Sequence, residues 1–200
     1  LAALLDFEMS EGQLVEWLRA QGIRSSDRVV VLPMRGQASA FNILVPDVRR
    51  EWARRLRDAG VTDLTLDCLR PVLDALGLDE NHDAGRFLEP FDQMCSEAGI
   101  QETVVVHHMG HGQERGRGDS RLRDWPDVEW RIVRPGDDPR APRFISAYGR
   151  DVDQRERALL LDVPTRRLTL SGGSRQDGAA NAALMDILAL LKGSATGMSG

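Results

Sequence analysis

Apolar positions change period along this chain, and the changes predict its elements. Residues 1–7, L-A-A-L-L-D-F, form a short apolar run of the kind a buried strand makes. Ser10 then opens a helix, because Gln13 stands three residues on as the partner in a capping box. Leu14 and Leu18 share one face of that helix, and Gly22 ends it. Arg28 to Leu32 is a second strand, and 33–46 reads as a loop or short helix. Asp47 to Ala59 is a helix with Val48, Trp52, Leu56 and Ala59 on its apolar face. Arg49, Arg50, Arg54 and Arg57 lie on the other face and read as a solvated surface.

The stretch Val61 to Pro71, V-T-D-L-T-L-D-C-L-R-P, organises the rest. Leu64 and Leu66 alternate with Thr65, so it predicts a strand that carries Asp67 to its carboxyl end. Residues 70–83 read as an acidic connection in which Asp79, Glu80 and Asp83 cap and turn. Ala84 to Ala98 is an amphipathic helix closed by Gly99, with Pro90 inside it. Thr103 to His107 is another apolar strand, running into His108. Four shorter strands follow, at 128–133, 143–148, 158–162 and 167–170, and then a helix at 181–191. Alternating strands and helices followed by strands alone predict α/β architecture, a parallel sheet extended by antiparallel strands. No linker breaks the pattern, so residues 1–170 read as one core and 171–200 as a C-terminal helix and tail.

Composition narrows the functions available. The net charge of -5 excludes a uniformly basic nucleic-acid coat, although the arginines are unevenly placed. Of 26 basic residues only Lys192 is lysine, and Gly193 follows it, so these residues contain no G-x-x-x-x-G-K-[ST] phosphate loop. No apolar run approaches the roughly 20 residues of a membrane span. The chain opens without Met on an apolar strand, which predicts a missing upstream segment. It shows no basic leader, and Cys68 and Cys95 read as reduced core cysteines, which together predict a cytoplasmic protein.

Three chemistries fit the polar positions. Nucleoside triphosphate hydrolysis needs an acid for Mg²⁺, a group that orients water and a sensor for the terminal phosphate. Glu8, Asp67 and His108 each end a predicted parallel strand, and in open α/β sheets ligands bind there. A metal site is the second, from His107, His108 and His111 with Asp67 or His82, although His107 and His108 point opposite ways if extended. Nucleic-acid binding is the third. Arg115, Arg117, Arg121 and Arg123 lie in a glycine-rich loop, where arginines neutralise phosphates and glycines let backbone approach them.

The segments L-D-F-E-M-S-E-G-Q-L at 5–14 and L-T-L-D-C-L-R-P at 64–71 resemble those of RecA-like hexameric helicase ATPases. V-V-V-H-H-M-G-H, E-R-G-R-G-D-S-R-L-R-D-W-P-D and A-Y-G-R-D-V resemble the AAA-type, RepA-like ATPase domains of plasmid, phage and actinobacterial replication proteins. The resemblance covers about residues 1–170. It implies a RecA-like P-loop NTPase-type sheet, ATP and Mg²⁺ as cofactors, single-stranded DNA as partner, and a homo-oligomeric, often hexameric, ring. It implies Glu8 as the water-activating glutamate, Asp67 as the Walker B aspartate on Mg²⁺ and His108 as sensor. The loop from Gly110 to Arg123 would face the channel, and Arg150, or else Arg143, would be an arginine finger. The family's P-loop belongs upstream of Leu1. Its absence implies a truncated piece or a shortened paralogue in which triphosphate binding is weak or lost, leaving catalysis by these residues open. The alternative is a non-catalytic, oligomeric DNA- or partner-binding module.

Overall fold

A computed structural model describes residues 1–108, 119–136, 138 and 141–195, with side chains omitted at 179, 181, 182 and beyond 191. Contacts divide the chain into two units, Leu1–Pro126 and Asp127–Gly200. The division falls well before the residue-170 boundary expected from the sequence.

The first unit is α/β. Strands β1 (Ala2–Asp6), β2 (Val29–Pro33), β3 (Asp63–Asp67) and β4 (Glu102–Val105) form a parallel sheet in the order β2-β1-β3-β4. Helix α1 (Glu11–Ala20) joins β1 to β2, and α2 (Pro46–Asp58) joins β2 to β3. The Ser10–Gln13 capping box forms as the spacing requires. Gly60 and Gly99 follow helix ends with φ of 71° and 79°, a left-handed backbone that favours glycine.

Two further helices, α3 (Leu69–Ala75) and α4 (Ala84–Ala98), lie between β3 and β4. Helix α3 is a correction, since 70–83 reads as a connection. Pro71 suggests a break, yet it stands in the first turn, where its missing N–H has no helical partner to lose. Leu69, Val72 and Leu73 are fully buried on its inner face.

The core of this unit is aromatic. Phe41 is fully buried, with ring centroids 5.8 Å from Phe7, 5.1 Å from Trp52 and 6.5 Å from Phe87. Phe87 stacks on Phe91 at 5.6 Å. Leu5, Leu64 and Leu66 supply the strand side of the core. On α2 the exposed arginines are tied locally, Arg54 to Glu51 and Asp58 at 2.8 Å each and Arg57 to the Glu97 carbonyl at 2.8 Å. Arg54 and Arg55 hold the Glu51 carboxyl down at about 2.

The second unit contains β5 (Val128–Val133), β6 (Arg143–Gly149), β7 (Asp153–Asp162) and β8 (Arg167–Ser171), an antiparallel sheet in sequence order. These strands form a sheet of their own, where an extension of the parallel sheet was expected. Helix α6 (Arg175–Ala195) follows, after the four-residue helix α5 (Arg121–Asp124) of the first unit. Arg175 anchors α6 to β7 through Glu156 at 2.8 Å. Leu160, Leu168 and Leu170 and, on α6, Leu184, Met185 and Ile187 are exposed. No described helix is long and apolar enough to cross a membrane.

Candidate active site

The register of the parallel sheet sets this site. Asp6 and Asp67 are direct partners at the carboxyl ends of β1 and β3. Backbone hydrogen bonds carry the alignment further: Phe7 N–H donates to the Asp67 carbonyl at 2.6 Å, and Val106 N–H to the Leu66 carbonyl at 2.9 Å. Glu8, Asp67, Cys68 and His108 thus leave three adjacent strands together. The Asp67–Cys68 peptide is cis.

Glu8 is the centre of the cluster. The Cys68 thiol donates to Oε1 at 3.1 Å, and His108 Nε2 lies 3.2 Å from both carboxylate oxygens. The thiol bond, and then His108, hold the Glu8 carboxyl below its ordinary range against the opposing effect of burial. Asp67 goes the other way. Burial raises its pKa, and the charges of Asp6 and Glu8 raise it further. Cys68 is fully buried, and burial together with the Glu8 carboxylate pushes its thiol up to about 12.

Asp6 and Cys68 are site members that the sequence reading missed. Asp6 is fully buried, and Oδ1 accepts from the amides of Glu8 at 2.9 Å and Met9 at 2.7 Å. Its Oδ2 is buried without a hydrogen-bond partner among the described residues. One signal was available: A-L-L-D and L-T-L-D both end an apolar strand on Leu-Asp.

The other sequence candidates separate. His107 turns away to Glu80, with Nε2 3.2 Å from Oε1, and Arg70 approaches the same carboxylate at 3.8 Å. His82 pairs with Asp79 at 3.0 Å in an exposed turn. The described residues therefore do not gather the histidines into one metal site. His111, Arg115 and Arg117 lie outside the described residues. Arg121 and Arg123 are exposed on α5, where a flexible loop was expected. That segment is docked on α4: Trp125 donates to Asp92 Oδ2 at 2.9 Å and packs edge-on to Phe91, and the Arg121 side chain overlies Gly85. Arg150 is in the second unit, 3.1 Å from Asp127, and Arg143 opens β6.

The donor set suits a hard divalent cation, since an orphaned buried carboxylate oxygen and the raised Asp67 pKa both mark uncompensated negative charge. The residues would fit Mg²⁺. A triphosphate cradle of the G-x-x-x-x-G-K-[ST] type is not among the 200 residues.

Comparison with known proteins places the fold and the family. A search of curated proteins gave no match. Among solved structures, a KaiC-like protein from the hyperthermophilic archaeon Pyrococcus horikoshii superposes with a TM-score of 0.62 at 10% identity, covering 86% of this chain and 76% of that one. At that identity the likeness establishes a shared fold, with a parallel sheet flanked by helices and antiparallel strands beyond it. The AAA domain model matches residues 2–114, which span every strand of the parallel sheet and the whole described cluster. With more than half of its length matched, the chain belongs to the AAA domain family.

Proposed function

We propose that this chain is the acidic half of an ATP-hydrolysing site in a DNA replication protein, and that it works in a homo-oligomer. The observation that carries the reading is the meeting of Asp67, Glu8 and His108 at neighbouring strand ends, with His108 3.2 Å from Glu8. Membership of the AAA domain family supports ATP as the nucleotide. Replication, DNA and the ring rest on the sequence resemblance alone.

Each residue has a defined task in this reading. Asp67 would hold Mg²⁺ through water, and Asp6 adds negative charge beside it. Mg²⁺ held there would supply positive charge against the negative charge that develops on the transferred phosphate. Glu8, kept ionised by Cys68 and His108, accepts a hydrogen bond from a water molecule and aims it. His108, 3.2 Å from Glu8, would fix that carboxylate and would be the group that senses a terminal phosphate. Arg150, or Arg143, is the candidate cation that a neighbouring subunit would contribute.

Calorimetry with an ATP analogue and Mg²⁺ tests the reading, on this chain and on one extended upstream by a Walker A segment. The extended chain is expected to bind nucleotide and to hydrolyse ATP faster with DNA. Glu8→Gln in it is expected to retain binding and lose turnover. A folded, assembled extended chain that binds no nucleotide would overturn the proposal.

The second reading, a non-catalytic DNA-binding module, is favoured by the exposure of Arg121 and Arg123. It requires salt-sensitive DNA binding that falls when Arg115, Arg117, Arg121 and Arg123 become Ala, with nucleotide making no difference. Binding unchanged in that variant removes it.

A further inference from the structure

Glu8, Cys68 and His108 bring three different donor types to one point: a carboxylate oxygen, a thiol sulfur and an imidazole nitrogen. Their ligand atoms all lie within 4.8 Å of one another. Two of the separations are known closely, 3.1 Å from sulfur to Oε1 and 3.2 Å from Nε2 to Oε1. Ligands on zinc bonds of roughly 2.0–2.3 Å, set at the tetrahedral angle, sit about 3.3–3.7 Å apart. Those two separations need only a small expansion for the three groups to share an ion.

We propose that Glu8, Cys68 and His108 form a binding site for a thiophilic divalent cation of the zinc class, with water completing the coordination. The site differs in donors and in hardness from an Mg²⁺ position on Asp67. Mg²⁺ prefers oxygen ligands, whereas thiolate and imidazole select zinc-class ions. The electrostatics agree. A thiolate and a carboxylate together balance a dication.

The thiol explains why this cluster is more than a surface ion pair. A fully buried cysteine usually packs as a small hydrophobe. Cys68 instead directs its hydrogen at a carboxylate oxygen. A cation replaces that hydrogen, with the proton leaving to solvent and a sulfur–metal bond forming in its place. Access is from the outer side, because the Glu8 and His108 side chains are 40% and 63% exposed. An ion seated there occupies the carboxylate that hydrolysis needs free. That consequence rests on the ATPase reading, whereas the binding does not.

Cobalt(II) is the probe, added without nucleotide to protein that carries no histidine tag. One equivalent is expected to bind with a near-ultraviolet thiolate-to-cobalt charge-transfer band and with tetrahedral visible bands. Zn²⁺ is expected to displace it, and excess Mg²⁺ to leave it bound. Cys68→Ser is expected to abolish the charge-transfer band and Cys95→Ser to keep it. His108→Ala is expected to weaken cobalt binding by at least about tenfold. A missing band, a band that survives Cys68→Ser, or displacement by Mg²⁺ overturns the proposal. Should Cys68→Ser not fold, His108→Ala and Glu8→Gln decide, since both alter partly exposed side chains, and unchanged cobalt affinity in both overturns it. Because no ATP is present, failure here leaves the nucleotide reading standing, and failure of nucleotide binding leaves this one standing.

Discussion

The Cys68 thiol donates to Glu8 Oε1 across 3.1 Å and is the largest influence holding that carboxylate ionised. Cys68→Ala removes the donor, so the Glu8 pKa is expected to rise. Its ordinary value is 4.5, and a carboxyl held below that stabilises the fold at higher pH. The contribution is lost as pH falls through the depressed folded-state pKa. Carboxyl-carbon NMR titration of Glu8 in both proteins checks the shift, and an unmoved midpoint contradicts it.

Asp67 has the opposite sign. Its pKa is raised by burial, Asp6 and Glu8, so its ionised form disfavours the folded state at neutral pH. That cost is fully present above the folded-state pKa and disappears as pH falls below the unfolded one. Asp67→Asn is therefore expected to raise the melting temperature at pH 7. The gain should vanish in acid. Thermal scans at the two pH values show it, and a lower melting temperature at pH 7 would count against the repulsion.

Phe41 touches three other aromatic side chains and is fully buried. Phe41→Ala should cost about 3–5 kcal/mol, the usual range for removing a buried ring. Urea unfolding followed by tryptophan fluorescence measures it through Trp52, 5.1 Å away. A loss below about 1 kcal/mol would mean the ring is not packed as described.

Ser10 caps α1 and is exposed, so its effect is local. Ser10→Ala is expected to cost about 1 kcal/mol by freeing the Gln13 amide. Ser10→Gly should recover most of that loss, since glycine is nearly as good at this position. Equal losses in the two variants would assign the effect to something other than the cap.

Local patterns revealed most elements here because the period of apolar residues is a local property. The strand at 128–133, the helix at 84–98 and the Ser10 cap formed as their spacing required. Helix α3 was hidden by Pro71, which breaks a helix interior but suits a first turn. The independence of the second sheet was hidden because period 2 shows a strand without showing its neighbours. The site divides in the same way. Glu8, Asp67 and His108 were legible as polar ends of apolar runs. Cys68 and Asp6 were not, because their importance depends on pairings such as Cys68 with Glu8, 60 residues apart in sequence.

The pairing of Asp6 with Asp67 is fixed by the sheet ladder, so their backbones stand about 4.8 Å apart from strand to strand. A register shift of one residue would turn every side chain of a strand to the other face, so the ladder holds this pairing or loses it. Damage to the core beneath therefore has no gradual way to distort this arrangement. Substitutions such as Phe41→Ala should reduce how many molecules are competent and leave each surviving molecule with the same affinity for its ligand. In a titration, they would lower the stoichiometry and leave the dissociation constant where it was.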